Sequence, residues 1–167
     1  MFKSLGEQKA SLLESLHKII IYIDDDIRSF AKRVGTTREF IYSLFSEKGT
    51  EFTFERIIDY FAIYDYSLKI VVQKEGEEAK GFLNADSKKT ISELIDFLKN
   101  AIIEEEGSLK KFNDKLGFSG YYITLLFKGT KKFTCERLFD YLAMYGYSID
   151  IGFTKVINKI NLNDIKA

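Results

Sequence analysis

Proline is absent from the 167 residues, and cysteine and histidine occur once each. Without proline, nothing in the chain forces a helix interior to break. A single cysteine excludes an internal disulfide and fits a reducing compartment. His17, with one cysteine and no second histidine, cannot anchor a zinc site of the usual type. No Ser/His/Asp grouping falls at a meaningful spacing, and no glycine loop of the phosphate-cradling kind appears. These absences predict no enzyme, no catalytic residues, no metal and no cofactor. Net charge is also missing, with 25 basic and 25 acidic residues. Nothing global therefore pulls the chain toward nucleic acid or an anionic membrane, and any such role needs a local patch. No run reaches the roughly 20 apolar residues of a membrane span. Residues 1–10 lack the basic start and apolar core of a signal peptide. The expectation is a soluble, cytoplasmic protein with no membrane partner.

What is present is core material, 46% hydrophobic and 15% aromatic, and a repeat. Residues 52–70, FTFERIIDYFAIYDYSLKI, and 133–151, FTCERLFDYLAMYGYSIDI, are identical at 11 of 19 positions, 81 residues apart. Upstream the match continues at an offset of 82, after a one-residue indel near Gly49 and Gly129. There Leu12, Leu16, Ile20, Phe30, Gly35, Ile41, Leu44 and Phe45 meet Leu94, Leu98, Ile102, Phe112, Gly117, Ile123, Leu126 and Phe127. A tandem duplication follows. Residues 1–74 form the first unit and 90–155 the second. Residues 75–89 have no apolar period and read as a linker, and 156–167 read as a C-terminal tail.

Within a unit, Leu12, Leu13, Leu16, Ile19, Ile20 and Ile23 share one face of a first helix. Ile91, Leu94, Ile95, Leu98 and Ile102 do so in the second copy. Asp26 and Ser108 are suited to cap a short second helix. Its apolar face is Ile27, Phe30, Ala31 and Val34, or Leu109, Phe112 and Leu116. Gly35 and Gly117 supply the left-handed turn that follows. Thr37 and Ser119 then stand as N-caps of a third helix. Its inner faces are Phe40, Ile41 and Leu44, or Tyr122, Ile123 and Leu126. Two short helices around a glycine turn match the helix-turn-helix plan. Thr53 and Thr134 cap a fourth helix, and Glu55 and Glu136 suit its dipole. Arg56 with Asp59, and Arg137 with Asp140, have ion-pair spacing. Cys135 aligns with Phe54 and reads as a buried hydrophobe. Tyr60, Tyr64, Tyr66 and their equivalents read as core and inter-unit contacts. Beyond them the period drops to 2, so each unit ends in a strand. A lone strand needs a partner, and the other copy's strand is the nearest. Lys69 and Asp150 hold equivalent positions with opposite charge, which favours this pairing if they lie opposite each other. The predicted fold class is mainly α: two tandem helix-turn-helix bundles of four to five helices, each ending in a β-strand, the strands pairing as a two-stranded ribbon.

The segment SLKKFNDKLGFSGYYITLLFKGTKKFTCERLFDYLAMYGYSIDI resembles the XRE (Cro and phage-repressor-like) helix-turn-helix family. Its tail, F-T-x-E-R-x-x-D-Y-x-A-x-x-x-Y-S before a strand, is similar to the branch that includes HigA-type antitoxins. The resemblance covers about 130 residues, counted from the two copies. It implies double-stranded DNA as partner, with the start of the third helix in the major groove. The first copy departs from the pattern at Glu47, where the second has Gly129. The second departs at Gly120 and Tyr121, where the family often has glutamine and another polar residue.

On that plan the base-contacting set is Thr37, Arg38, Glu39, Tyr42 and Ser43, with Ser119, Gly120, Tyr121 and Thr124 in the second copy. Arg38 is the leading residue, since arginine binds guanine bidentately. Phosphate contacts fall to Arg28, Lys32, Arg33 and Lys48, and to Lys110, Lys111, Lys115, Lys128, Lys131 and Lys132. Residues 27–50 carry five basic and two acidic residues, and residues 108–132 six and one. Two functions are in view. One is a sequence-specific regulator, a repressor, acting as a one-chain pseudo-dimer or as a homodimer. The other is an antitoxin or anti-activator that binds a protein partner. Zero net charge, 25 aromatics and the Gly120–Tyr121–Tyr122 run speak for the second.

Overall fold

The structure is a computed structural model and describes residues 3–46 and 52–156. Among the described residues there are eight helices and one three-stranded antiparallel sheet. The first copy runs α1 (Leu5–Asp24), α2 (Ile27–Val34), α3 (Arg38–Phe45), α4 (Phe54–Ile63) and β1 (Tyr66–Lys74). After β2 (Lys80–Leu83), the order recurs as α5 (Ser87–Glu106), α6 (Leu109–Lys115), α7 (Tyr122–Lys128), α8 (Cys135–Met144) and β3 (Tyr147–Lys155). No helix of the described residues is long and apolar enough to cross a membrane.

The helices start where a side chain can take up an orphan amide. Asp26 accepts from Ser29 N at 2.7 Å and Ser108 from Lys111 N at 3.1 Å. Thr53 and Thr134 accept from Arg56 N and Arg137 N, each at 3.2 Å. Such caps contribute about 1 kcal/mol apiece. The acids two residues after the threonines do something different from what their spacing suggests. Glu55 accepts from Cys135 N at 2.5 Å, and Glu136 from Phe54 N at 3.2 Å. Each acid serves the N-terminus of the other copy's helix, so α4 and α8 cap one another.

The sheet order is β2-β1-β3. In the β1–β3 register Ile70 faces Ile151, and these two are equivalents in the repeat. A pseudo-twofold axis therefore passes through that pair. Every other residue faces something other than its own equivalent. Lys69 accordingly lies against Gly152, and Asp150 against Val71. The expected Lys69–Asp150 opposition is absent; the two are diagonal neighbours on one exposed face.

The two-stranded ribbon is also incomplete as an expectation. Four residues of the segment read as a linker form β2, which pairs with β1 from Lys69↔Leu83 to Val72↔Lys80. Ser87, Lys88 and Lys89 open α5. β2 has a single inward residue, Phe82, 6% exposed, with its ring 5.4 Å from that of Phe97. One buried side chain in four is too little to register as a period.

The core is shared by both copies. Leu16, Ile20, Phe30 and Ile41 are fully buried, and so are their equivalents Leu98, Ile102, Phe112 and Ile123. The halves meet through Phe54 edge-on to Phe139 at 5.1 Å and Phe61 stacked on Phe153 at 3.9 Å. Cys135 lies in this core at 3% exposure, and burial pushes its thiol well above the ordinary range. Two residues placed on inner faces are exposed, Ile23 in the last turn of α1 and Phe40 on α3. Arg56 explains Phe40: its guanidinium lies 4.9 Å over that ring, and Arg137 lies 5.2 Å over Tyr122, the equivalent. These cation–π contacts replace the expected Arg56–Asp59 and Arg137–Asp140 pairs, neither of which is among the ion pairs of the described residues.

One polar side chain closes the sheet. β3 has a free outer edge, and Gln8 of α1, 5% exposed, lies along it. Its amide donates to Ile149 O at 2.6 Å and accepts from Ile151 N at 2.7 Å. On the far side, β2 and Ser87, which accepts from Leu68 N at 3.0 Å, cover β1.

Candidate nucleic-acid interface

The first candidate surface is built by the turn between α2 and α3. Gly35 takes φ 77°, which an L side chain rarely adopts. A Cβ there would meet nothing within 4 Å, so backbone conformation alone asks for glycine. Gly35 N donates to Lys32 O at 3.2 Å and Thr36 N to Ala31 O at 2.9 Å, the paired bonds of a Schellman ending. Gly117 repeats this, with Gly117 N to Asp114 O at 3.0 Å and Phe118 N to Asn113 O at 3.1 Å. Sequence-equivalent glycines thus end sequence-equivalent helices.

Thr37 caps α3, accepting from Phe40 N at 3.2 Å. Arg38 and Glu39 form the exposed first turn, joined by a 3.3 Å ion pair. The Glu39 carboxyl is held below its usual range by its own backbone amide and by Arg38. Arg28, Lys32, Thr37, Arg38 and Glu39 line one open cleft of ≈ 730 Å³. Five of the sequence-predicted residues therefore come together. Tyr42 is 57% exposed on the same helix. Ser43 is exposed, but its hydroxyl donates to Phe40 O at 2.6 Å. Lys48 lies outside the described residues.

Arg33 does not join this cleft. It pairs with Asp24 at 3.1 Å and lies 5.2 Å over the Tyr64 ring. Tyr64 donates its hydroxyl to Asp24 at 2.5 Å. Lys115 repeats the arrangement with Glu106 at 2.7 Å and the Tyr145 ring at 5.9 Å. Tyr145 donates to Glu106 at 3.1 Å. The hydrogen bond from Lys115 holds the Glu106 carboxyl below its usual range. Burial, then the carboxylate beside each hydroxyl, drives Tyr64 and Tyr145 far above theirs. Both triads tie the end of the first helix to the end of the fourth. Two predicted phosphate ligands are thereby paired with acids of the same unit.

The second head differs from the first. Ser119 is no cap: α7 begins at Tyr122 and has no side-chain cap from Tyr121. Asn113, 1% exposed, takes over from α6. Its amide donates to Phe118 O and Gly120 O, and accepts from Ile123 N, all at 3.0 Å. Gly120 has φ 66°. Gly120 and Tyr121 therefore lie in the turn, and Tyr121 is 68% exposed. Thr124 is half-buried. Lys131 lies 5.3 Å over the Tyr122 ring. Lys110, Lys111, Lys128 and Lys132 are exposed and, like Arg28 and Lys32, are in no ion pair among the described residues. Asn113 went unpredicted, although it stands where the first copy has Ala31. A polar residue aligned with a core position was the available signal.

No family model matches the chain, and no curated protein or solved structure matches it either.

Proposed function

We propose that the chain is a cytoplasmic, sequence-specific DNA-binding regulator, a repressor. Its two helix-turn-helix units act as a one-chain pseudo-dimer. The supporting observation is the first head, where Arg28, Lys32 and Arg38 converge on one open cleft at the start of an exposed helix. A core needs none of those charges there. The pseudo-twofold axis through Ile70 and Ile151 also suits a duplex, whose adjacent major grooves recur about every 34 Å. Arg38 is the base-reading residue in this proposal, and Arg28 and Lys32 hold phosphates. Band-shift titration on duplexes selected from a random pool tests it. Binding is expected to weaken steeply with salt, by about 0.9 in log–log slope per phosphate contact. No retained duplex at low salt refutes it.

Exposed aromatics favour a second reading, a protein-binding regulator such as an antitoxin. Tyr42, Phe118 and Tyr121 are all exposed on or beside the third helices. Copurification of the full chain with a small partner in fixed ratio, with no DNA affinity, is the outcome that would prefer it.

A further inference from the structure

We propose that the first unit alone reads bases, and that the second holds the same duplex by its phosphates without sequence preference. The proposal rests on the DNA-binding reading above and assigns the two heads unequal work. The observation behind it is where the two helices start. α3 begins at Arg38, whereas α7 begins at Tyr122, the equivalent of Phe40. The second head has lost the two helical positions that carry Arg38 and Glu39 in the first. In their place stand Gly120, with no side chain, and Tyr121, outside the helix.

The loss is built in. Asn113 binds the carbonyls of Phe118 and Gly120 and the amide of Ile123 together. A further helical turn before Tyr122 would break all three bonds and leave a buried amide unpaired. What α7 can present to a groove is Thr124 and Leu125, both half-buried, and Lys128 at its far end. Bidentate recognition of a base edge needs arginine or lysine on guanine, or asparagine or glutamine on adenine. None of these stands in the first turn of α7. Around it, however, Lys110, Lys111, Lys128 and Lys132 are exposed and outside any ion pair of the described residues. Such charges position a protein on a duplex but carry no sequence information.

The test is selection of the full chain on random duplexes, with footprinting of the winners. Specified bases are expected in one half of the footprint, while protection extends over both. Arg38→Ala is then expected to lose about 5- to 150-fold on the selected duplex and little on a scrambled one. The triple variant Lys110→Ala, Lys111→Ala, Lys128→Ala changes only exposed side chains. It is expected to weaken selected and scrambled duplexes alike and to reduce the salt slope by about 2.7. Specified bases in both halves would overturn the proposal while leaving DNA binding intact. So would a changed base preference in the triple lysine variant, or protection of one half alone. Absence of binding to any duplex at low salt would instead remove the DNA-binding reading, and this proposal with it.

Discussion

Replacing Gln8 with methionine keeps the length of the side chain and removes its polar end. In the native fold that end makes three bonds, to Lys3 O at 2.7 Å, Ile149 O at 2.6 Å and Ile151 N at 2.7 Å. The last two partners belong to the edge of β3, 141 and 143 residues away in sequence. The side chain is 5% exposed, so water does not share these groups while α1 is docked. An orphaned buried backbone group costs about 1–3 kcal/mol, which puts Gln8→Met at about 2–6 kcal/mol for two such groups. That is a large share of the roughly 5–15 kcal/mol that holds a domain folded. In a chain of this size it should lower the melting temperature by about 5 °C or more. Urea unfolding followed by circular dichroism measures it. Gln8→Glu sharpens the test, since a carboxylate still accepts from Ile151 N but opposes Ile149 O. Protonation restores a donor, so the folded state raises the pKa of the new acid. Its stability relative to the parent is then full below the ordinary glutamate pKa, about 4.3, and is lost as pH rises through the folded value. A Gln8→Met loss under about 0.5 kcal/mol would mean that water serves the edge equally well, and the reasoning would fail.

Asn113→Ala should cost about 1–3 kcal/mol, because it orphans the buried amide of Ile123; amide exchange at Ile123 should rise with it. Glu55→Ala should cost about 1 kcal/mol by removing a helix cap, and the frayed start of α8 should let a thiol reagent label Cys135 faster than in the parent. Tyr64 and Tyr145 have raised pKa values in the fold, from burial first and then the adjacent carboxylates. Their contribution is complete below the ordinary tyrosine value of 10.0 and is lost as pH rises past it. A phenolate absorbance titration should show ordinary tyrosines ionising first and these two only as the fold opens.

The repeat in the sequence located the helices, their threonine caps and most of the core, because those features depend on local spacing. Leu16 with Leu98 and Phe30 with Phe112 are buried as equivalents, and Gly35 with Gly117 turns the chain alike. What escaped was set by partners distant in sequence. Glu55 has the spacing of a residue serving its own helix, yet its partner is Cys135 N, 80 residues on. Arg56 has a carboxylate three residues away, yet it lies over the ring of Phe40. Gln8 is a polar residue on an apolar stripe, a mark that spacing records as a flaw and that the β3 edge explains. At the candidate interface, the glycine turn made legible that Arg28, Lys32 and Arg38 line one cleft. Arg33 and Lys115 were not, because the acids that hold them, Asp24 and Glu106, belong to the preceding helix. Ser119 misled because a good capping residue was outcompeted by a buried amide from the helix before it.

The axis through Ile70 and Ile151 has a consequence for how the two halves can change. In an assembly of two identical chains, one altered codon alters both sides of the symmetry at once. Here each side has its own codons, so a substitution in α7 leaves α3 untouched, and dilution cannot part the halves. Symmetry is enforced where the strands and the capping acids must meet. Away from that seam, the halves are free to drift apart, as the unlike starts of α3 and α7 record.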